Sequence, residues 1–222
     1  DGTLFDFRIS WGNWATGFLA RLASDADHAE RLGRAIGFDP GTRGFAPDSP
    51  VIAGTAADIA AALAPHLDGI PVVDLTGMID DAAGSAPMSE AVPLRPLLTG
   101  LRDRGLRLGV ATNDSEAPAR QHLAAHGITG YFDFIAGYDS GHGAKPGPGM
   151  CLAFAGALGL DPGRVAMVGD SRHDLEAGRA AGMRTVAVLT GIAPAAALAP
   201  LADVVLPDIG ALPRWLDGHS GG

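Results

Sequence analysis

From residue 106 onward the chain alternates short apolar runs with helix-like stretches, and no other feature constrains its fold as much. "LRLGVAT" (106–112) reads as a buried strand, and "EAPARQHLAAHG" (116–127) as a helix closed by Gly127. "FDFIAG" (132–137), "RVAMVGD" (164–170), "TVAVLT" (185–190) and "ADVVLPD" (202–208) read as further strands. "GPGMCLAFAGALG" (147–159) and "RHDLEAGRAAG" (172–182) read as the helices between them. Strands that alternate with helices imply parallel crossover units, hence an α/β fold with a doubly wound parallel sheet. Ligands of such folds bind outside the carboxyl ends of the strands.

Residues 11 to about 90 follow a different pattern. "WGNWATGFLARLA" (11–23), "DADHAERLGRAIG" (25–37), "TAADIAAALAPHL" (55–67) and "PVVDLTGMIDDAA" (71–83) all look helical, with Asp25 and Thr55 placed as N-caps. "GFDPGTRGFAPDSP" (37–50) reads as a long loop and "GSAPMSEAVP" (84–93) as a linker. Four helices without a legible strand suggest a separate helical module, from which the linker returns to the α/β part.

Composition removes several function classes. The chain has 222 residues, 47% of them hydrophobic, enough for a full core. Its formal net charge of -9 argues against a nucleic-acid or anionic-membrane surface, so an anionic ligand needs local cations or a metal. The single cysteine, Cys151, excludes an internal disulfide and a Cys-based metal cluster. No apolar run reaches the length of a membrane span, and the cytoplasm is the default compartment. Oligomeric state is not legible.

Four short motifs fall at or just beyond strand ends: Asp1-Gly2-Thr3, Thr112-Asn113, Lys145-Pro146, and Gly169-Asp170 with Asp174. Singly, each has an ordinary reading. "DGT" is a turn tripeptide, "TN" caps a helix, "KP" sits in a surface loop, and Ser171 with Asp174 fits a capping box. Other features read as structural. His122 and His126 lie one helical turn apart without an evident third ligand, and Trp11 and Trp14 suit a packing stripe. "GHGAKPGPG" (141–149) lacks the Gly-Lys-Ser/Thr order of a phosphate-binding P-loop. Arg43, in the helical module's long loop, is a candidate partner for a substrate carboxylate.

In this order and with these spacings, the four motifs resemble those of the haloacid dehalogenase-like hydrolase superfamily. The likeness is greatest to its phosphatases with a small helical cap inserted after the first motif, such as phosphoglycolate phosphatase, which implies a Rossmann-like core of residues 1–8 and 91–222 with an inserted α-helical cap of residues 9–90. "DGTLFD" (1–6) matches part of the first motif, "LGVATND" (108–114) the second, "GAKPGPG" (143–149) the third and "GDSRHD" (169–174) the fourth. The resemblance implies a nucleophilic aspartate two positions before Asp1, which forms an aspartyl-phosphate. Asp1 then matches the residue that protonates the leaving group and activates water, and its main-chain carbonyl binds the metal. On this reading the chain is expected to be truncated inside its first motif, by about ten residues on typical strand lengths.

Elementary chemistry is consistent with these roles. Phosphoryl transfer needs charge neutralisation around three equatorial oxygens, and Mg²⁺ with carboxylate and water ligands supplies much of it. Asp170, at a strand end, is the expected direct ligand, and Asp174, one helical turn on, is expected to hold a metal-bound water. Lys145 supplies a point charge for the phosphate, Thr112 a hydroxyl, and Asn113 a main-chain N–H at a helix start. The expected activity is Mg²⁺-dependent hydrolysis of a small phosphorylated metabolite resembling phosphoglycolate. The alternatives are a phosphomutase of the same superfamily and a non-catalytic phosphate-binding relative. A dehalogenase is disfavoured, because those enzymes use no metal and this chain keeps "DGT" and "GD".

Overall fold

The computed structural model describes residues 1–218. The helical part opens with α1 (Phe7–Leu22), which starts at Phe7 because the Asp6 side chain accepts the Ile9 N–H at 3.0 Å. Phe7, Trp11, Trp14 and Phe18 recur every three to four residues, so all four fall on one face and are buried. α2 (Ala26–Ala35) is capped by Asp25, as the sequence suggests. The stretch expected as a loop contains a short antiparallel pair, β1 (Phe38–Asp39) and β2 (Gly44–Phe45), and then α3 (Pro50–Ala53). α4 (Ala56–Leu63) begins in a reciprocal capping box between Thr55 and Asp58, and α5 (Val72–Gly84) completes the module. One apolar cluster, from Phe7 to Ala83, binds these helices together.

Two neighbouring crossings join this module to the rest. The Asp6 N–H donates to Ser89 O at 2.8 Å and the Ala91 N–H to Leu4 O at 2.9 Å, around an antiparallel bridge between Phe5 and Glu90. α6 (Leu94–Asp103) follows. Pro96 and Gly100 interrupt its sequence pattern, but Leu94, Leu98 and Leu101 still form a buried stripe. Pro96 falls in the first turn, where its missing N–H costs nothing.

The α/β part then runs β3 (Gly109–Ala111), α7 (Glu116–Ala125), β4 (Phe134–Ala136), α8 (Gly149–Leu158), β5 (Ala166–Gly169) and α9 (Arg172–Ala180). It closes with β6 (Arg184–Val188), α10 (Ala195–Leu198), β7 (Val204–Leu206) and α11 (Leu212–Asp217). All its strand pairs are parallel. β3 pairs with β4, with Val110 opposite Ile135, and β5, β6 and β7 form a second group in that order. β3 and β5 each keep one edge without a strand partner among the described residues. The two groups share one core, in which Val110, Ile135, Val168, Val186 and Val188 pack with Phe5. The strands are shorter than the apolar runs that mark them. The β3–β4 ladder nevertheless continues past the strand ends, through Asp133 N–H to Leu108 O and Thr112 N–H to Ala136 O.

Candidate active site

β3, the loop before α8, and β5 all end at one place, under α3 of the helical module. There they line a cavity of ≈ 50 Å³ with Asp1, Thr112, Asn113, Lys145, Asp170 and Asp174. Six residues from four separated motifs therefore share one wall-to-wall space. Phe7, Trp11 and residues 51–54 close it from the helical side, and Ser171 and His173 from α9.

Lys145 and Asp174 form the centre. The Lys145 Nζ donates to Asp174 Oδ1 at 2.6 Å and to Ala111 O at 2.7 Å. Both side chains are about nine-tenths buried. Ala111 O lies on the edge of β3 away from β4, since the adjacent Thr112 N–H points to β4. Lys145 thus bridges the open edge of one strand group to the helix that follows the other. An ammonium has three N–H donors, so one remains for a ligand.

Asp174 has two tasks. Its Oδ2 accepts from the Ser171 N–H at 3.0 Å and the Ser171 hydroxyl at 2.8 Å, completing the capping box of α9. Its Oδ1 takes Lys145. Burial opposes its ionisation, but the Lys145 ammonium and the Ser171 hydrogen bonds overcome this and hold its acidity below the ordinary aspartate value. The capping reading of "GDSRHD" holds, and Asp170 and Asp174 of the same stretch line the cavity.

Asp170 behaves oppositely. Burial, then the nearby Asp174 charge, pushes its pKa up to about 6. Among the described residues its Oδ1 accepts only the Thr3 hydroxyl, at 3.0 Å. Its carboxyl group is held between two glycines: a Cβ on Gly2 would sit 2.1 Å from Asp170 Oδ2, and one on Gly191 2.0 Å from the same atom. Gly2 also has φ +73, where a side chain is strained.

Thr112 and Asn113 are buried as well. The Thr112 hydroxyl accepts the Asp114 N–H at 3.0 Å and reaches Asp114 Oδ2 at 3.3 Å. The Asn113 side chain bonds both the N–H and the C=O of Lys145. Asp1 lines the cavity, half-exposed.

The donor set suits a hard cation. Burial and a second carboxylate nearby raise the pKa of Asp170, which has spare lone pairs in a glycine cradle. Asp174 has both oxygens engaged, which fits an indirect role better than direct ligation. Among the described residues no three His, Cys, Asp or Glu side chains gather as a metal cluster. A cation here would therefore rest on Asp170, main-chain oxygen and water.

Other sequence candidates lie elsewhere. The His122 Nε2–H donates to Ala83 O at 2.8 Å, and His126 Nδ1 lies 3.0 Å from Glu90 Oε1, so both histidines brace the crossings. Arg43 lines a separate hollow of ≈ 280 Å³ with Arg8, Ile9 and Phe45. Trp14 packs in the helical core, while Trp11 does so and also lines the site. Sequence reasoning missed His173, Gly191 and the Ala53 carbonyl. His173 stands at a variable place inside a motif, and a main-chain carbonyl leaves no mark in a sequence.

Residues 87–188 match the family model described as haloacid dehalogenase-like hydrolase. Over these residues the chain is similar to the haloacid dehalogenase-like hydrolases. A phosphoglycolate phosphatase of Rhodospirillum rubrum is 36% identical over 139 residues, covering 62% of this chain and 56% of that relative. The probable phosphatase IndB of Dickeya dadantii is 41% identical over 92 residues, 41% of this chain and 40% of its own. The chain thus spans about half the length of the curated relatives it matches. Among solved structures, CbbY from Rhodobacter sphaeroides, in complex with phosphate, superimposes with a TM-score of 0.68 at 19% identity, covering 96% of this chain and 92% of that one. The β-phosphoglucomutase of Clostridium difficile gives a TM-score of 0.63 at 16% identity, over 96% and 89%. Both structures share the overall fold of this chain. No helix among the described residues is long and apolar enough to cross a membrane.

Proposed function

We propose that this chain is a haloacid dehalogenase-like hydrolase, a Mg²⁺-dependent phosphatase of small phosphorylated metabolites, phosphoglycolate-like in class, working in the cytoplasm. The observation that carries the reading is the convergence of Lys145, Asp170 and Asp174 with Thr112 and Asp1 in one buried cavity. Such a cavity can hold a phosphoryl group against a cation and one ammonium donor. Two curated relatives that the chain partly matches are named as a probable phosphatase and a phosphoglycolate phosphatase.

The geometry supports the following roles. Lys145, fixed by Asp174 and Ala111 O, presents its remaining N–H to a phosphoryl oxygen. Thr112 and the Asn113 main-chain N–H contact the same group from the end of β3. Asp170 and the Asp1 carbonyl would hold Mg²⁺, and Asp174 would orient a water beside it through the helix terminus. A bound Mg²⁺ supplies neutralisation of the charge on the phosphoryl oxygens. By the family resemblance, the attacking carboxylate would be an aspartate two positions ahead of Asp1, and the Asp1 side chain would exchange the proton with the leaving group and then with water.

At ≈ 50 Å³ the cavity admits a few waters, against about 300–1,000 Å³ for sites that enclose a small ligand. The helical insert therefore has to lift for a metabolite to enter, and it excludes water when it returns. We assign residues 9–90 to this cap and 1–8 with 91–222 to the core.

The test is phosphate release from a panel of small phosphomonoesters, phosphoglycolate among them, by the protein carrying that upstream aspartate. Release with Mg²⁺ that stops on adding EDTA is expected. Release that EDTA leaves untouched, or none from any ester, would overturn the reading.

A further inference from the structure

One carbonyl of the helical cap is gripped by two residues of the core. Ala53 O, at the end of α3, accepts the Asn113 Nδ2–H at 2.8 Å and the His173 Nδ1–H at 3.2 Å. A carbonyl only accepts, so this contact assigns the proton of His173 to Nδ1. The same Asn113 amide has two further bonds. Its Oδ1 accepts the Lys145 N–H at 2.8 Å and its Nδ2 donates to Lys145 O at 2.9 Å. Asn113 is 8% exposed, so water contributes little.

A carboxamide is planar, and its two N–H bonds and its C=O point in fixed relative directions. When Nδ2 reaches Ala53 O, the plane is set, and both main-chain groups of Lys145 must meet it in that plane. Lys145 in turn aims its ammonium at Asp174 and Ala111 O. His173 adds a second hold on the same cap carbonyl from the residue next to Asp174.

We infer that Asn113 and His173 are positioning residues that make the placement of Lys145 depend on the cap being seated on Ala53 O. With the cap down, three contacts fix the Asn113 amide. With the cap lifted, only the two to Lys145 remain, and the amide and the Lys145 loop are freer. The core is thus assembled for phosphoryl binding only when the cap has closed. Asn113 reaches the phosphate through Lys145, in addition to any contact from its own main-chain N–H. The kinetic part of this inference rests on the phosphatase reading; the structural part does not.

Hydrogen exchange on the whole protein separates the two. The amides of Gly54 and Thr55 report the cap segment, and the Lys145 amide, bonded to Asn113 Oδ1, reports the core loop. His173→Phe removes one bond to Ala53 O and none to Lys145. The expected result is exchange faster by roughly two- to tenfold at Gly54 and Thr55, the scale of one hydrogen bond, together with a similar rise at Lys145. His173→Asn can place an amide N–H near the Nδ1 position, and it should restore both. Asn113→Asp, which sets a carboxylate against two carbonyls, should raise both further. A rise confined to the cap segment, or none at either place, overturns the coupling. A thermal melt on each variant checks folding, and His173→Leu is the substitute should the phenylalanine not be accommodated. In turnover, a misplaced Lys145 lowers kcat, whereas a cap contact alone alters only KM. A fall in kcat of about fivefold in His173→Phe, recovered in His173→Asn, is the kinetic signature expected. Should no ester be hydrolysed by any variant, the phosphatase reading fails and the exchange result still decides the coupling.

Discussion

The Lys145 ammonium lies 2.6 Å from the Asp174 carboxylate, and each side chain is about nine-tenths buried. An ion pair taken out of water is costly to form and costlier to halve, because the survivor keeps its charge without a partner. Lys145→Met should therefore destabilise the protein by about 3 kcal/mol, and Asp174→Asn by a similar amount. The double variant should cost less than the sum. Urea unfolding of all four proteins measures this, and strict additivity would show that the pair contributes no coupling.

Asp170 should oppose stability at neutral pH. Its folded-state value is raised to about 6, above an ordinary aspartate. Its contribution is therefore complete below the unfolded value near 4 and is lost as pH rises through about 6. Asp170→Asn removes the charge. Without divalent metal, it should melt higher than the parent at pH 7.5, by on the order of 2 kcal/mol, and show little difference at pH 4. A parent that is the more stable of the two at pH 7.5 would contradict the raised value. With Mg²⁺ and an aspartate ahead of Asp1, the same variant should lose turnover.

Gly191 offers a steric test of the same carboxylate. Its φ is not in the left-handed region, so Gly191→Ala adds only a methyl group, which meets Asp170 Oδ2 at 2.0 Å. The carboxylate has to move. Mg²⁺ affinity, read by calorimetry, is expected to fall at least tenfold, with a far-ultraviolet circular dichroism spectrum like the parent's. Unchanged affinity would show that Asp170 does not bind the ion from this rotamer.

Ser171→Ala should remove the cap of α9 and one hydrogen bond to Asp174 together. The helix loses about 1 kcal/mol. Asp174 loses a bond that favours its ionised form, so its pKa should rise. The melting temperature and the Asp174 carboxyl resonance across a pH titration give the two readings, and an unshifted resonance would rule out the second.

Much of this was legible because it rests on local rules. Asp25, Thr55 and Ser171 announce their helices through capping chemistry that spans three residues, and each caps where the sequence places it. β5 and α9 meet at Gly169-Asp170 because an apolar run gives way to a capping box. α6 was hidden, since Pro96 and Gly100 mask a stripe of leucines that only tertiary packing reveals. The two-residue strands at Phe38–Asp39 and Gly44–Phe45 are too short for any periodicity. In the site, Lys145 and Asp174 are separated by 29 positions, and nothing in their spacing says that they touch. His173 and Ala53, 120 positions apart, belong to the same class of long-range fact.

The paired crossings between Leu4 and Asp6 and between Ser89 and Ala91 have a mechanical consequence. Two antiparallel segments joined by main-chain hydrogen bonds resist sliding past one another, because a shift along the strand breaks every bond at once. They resist rotation about their common line far less, since that asks only for small changes of φ and ψ on either side. On the cap reading, these crossings would let residues 9–90 turn about that line more readily than slide along it.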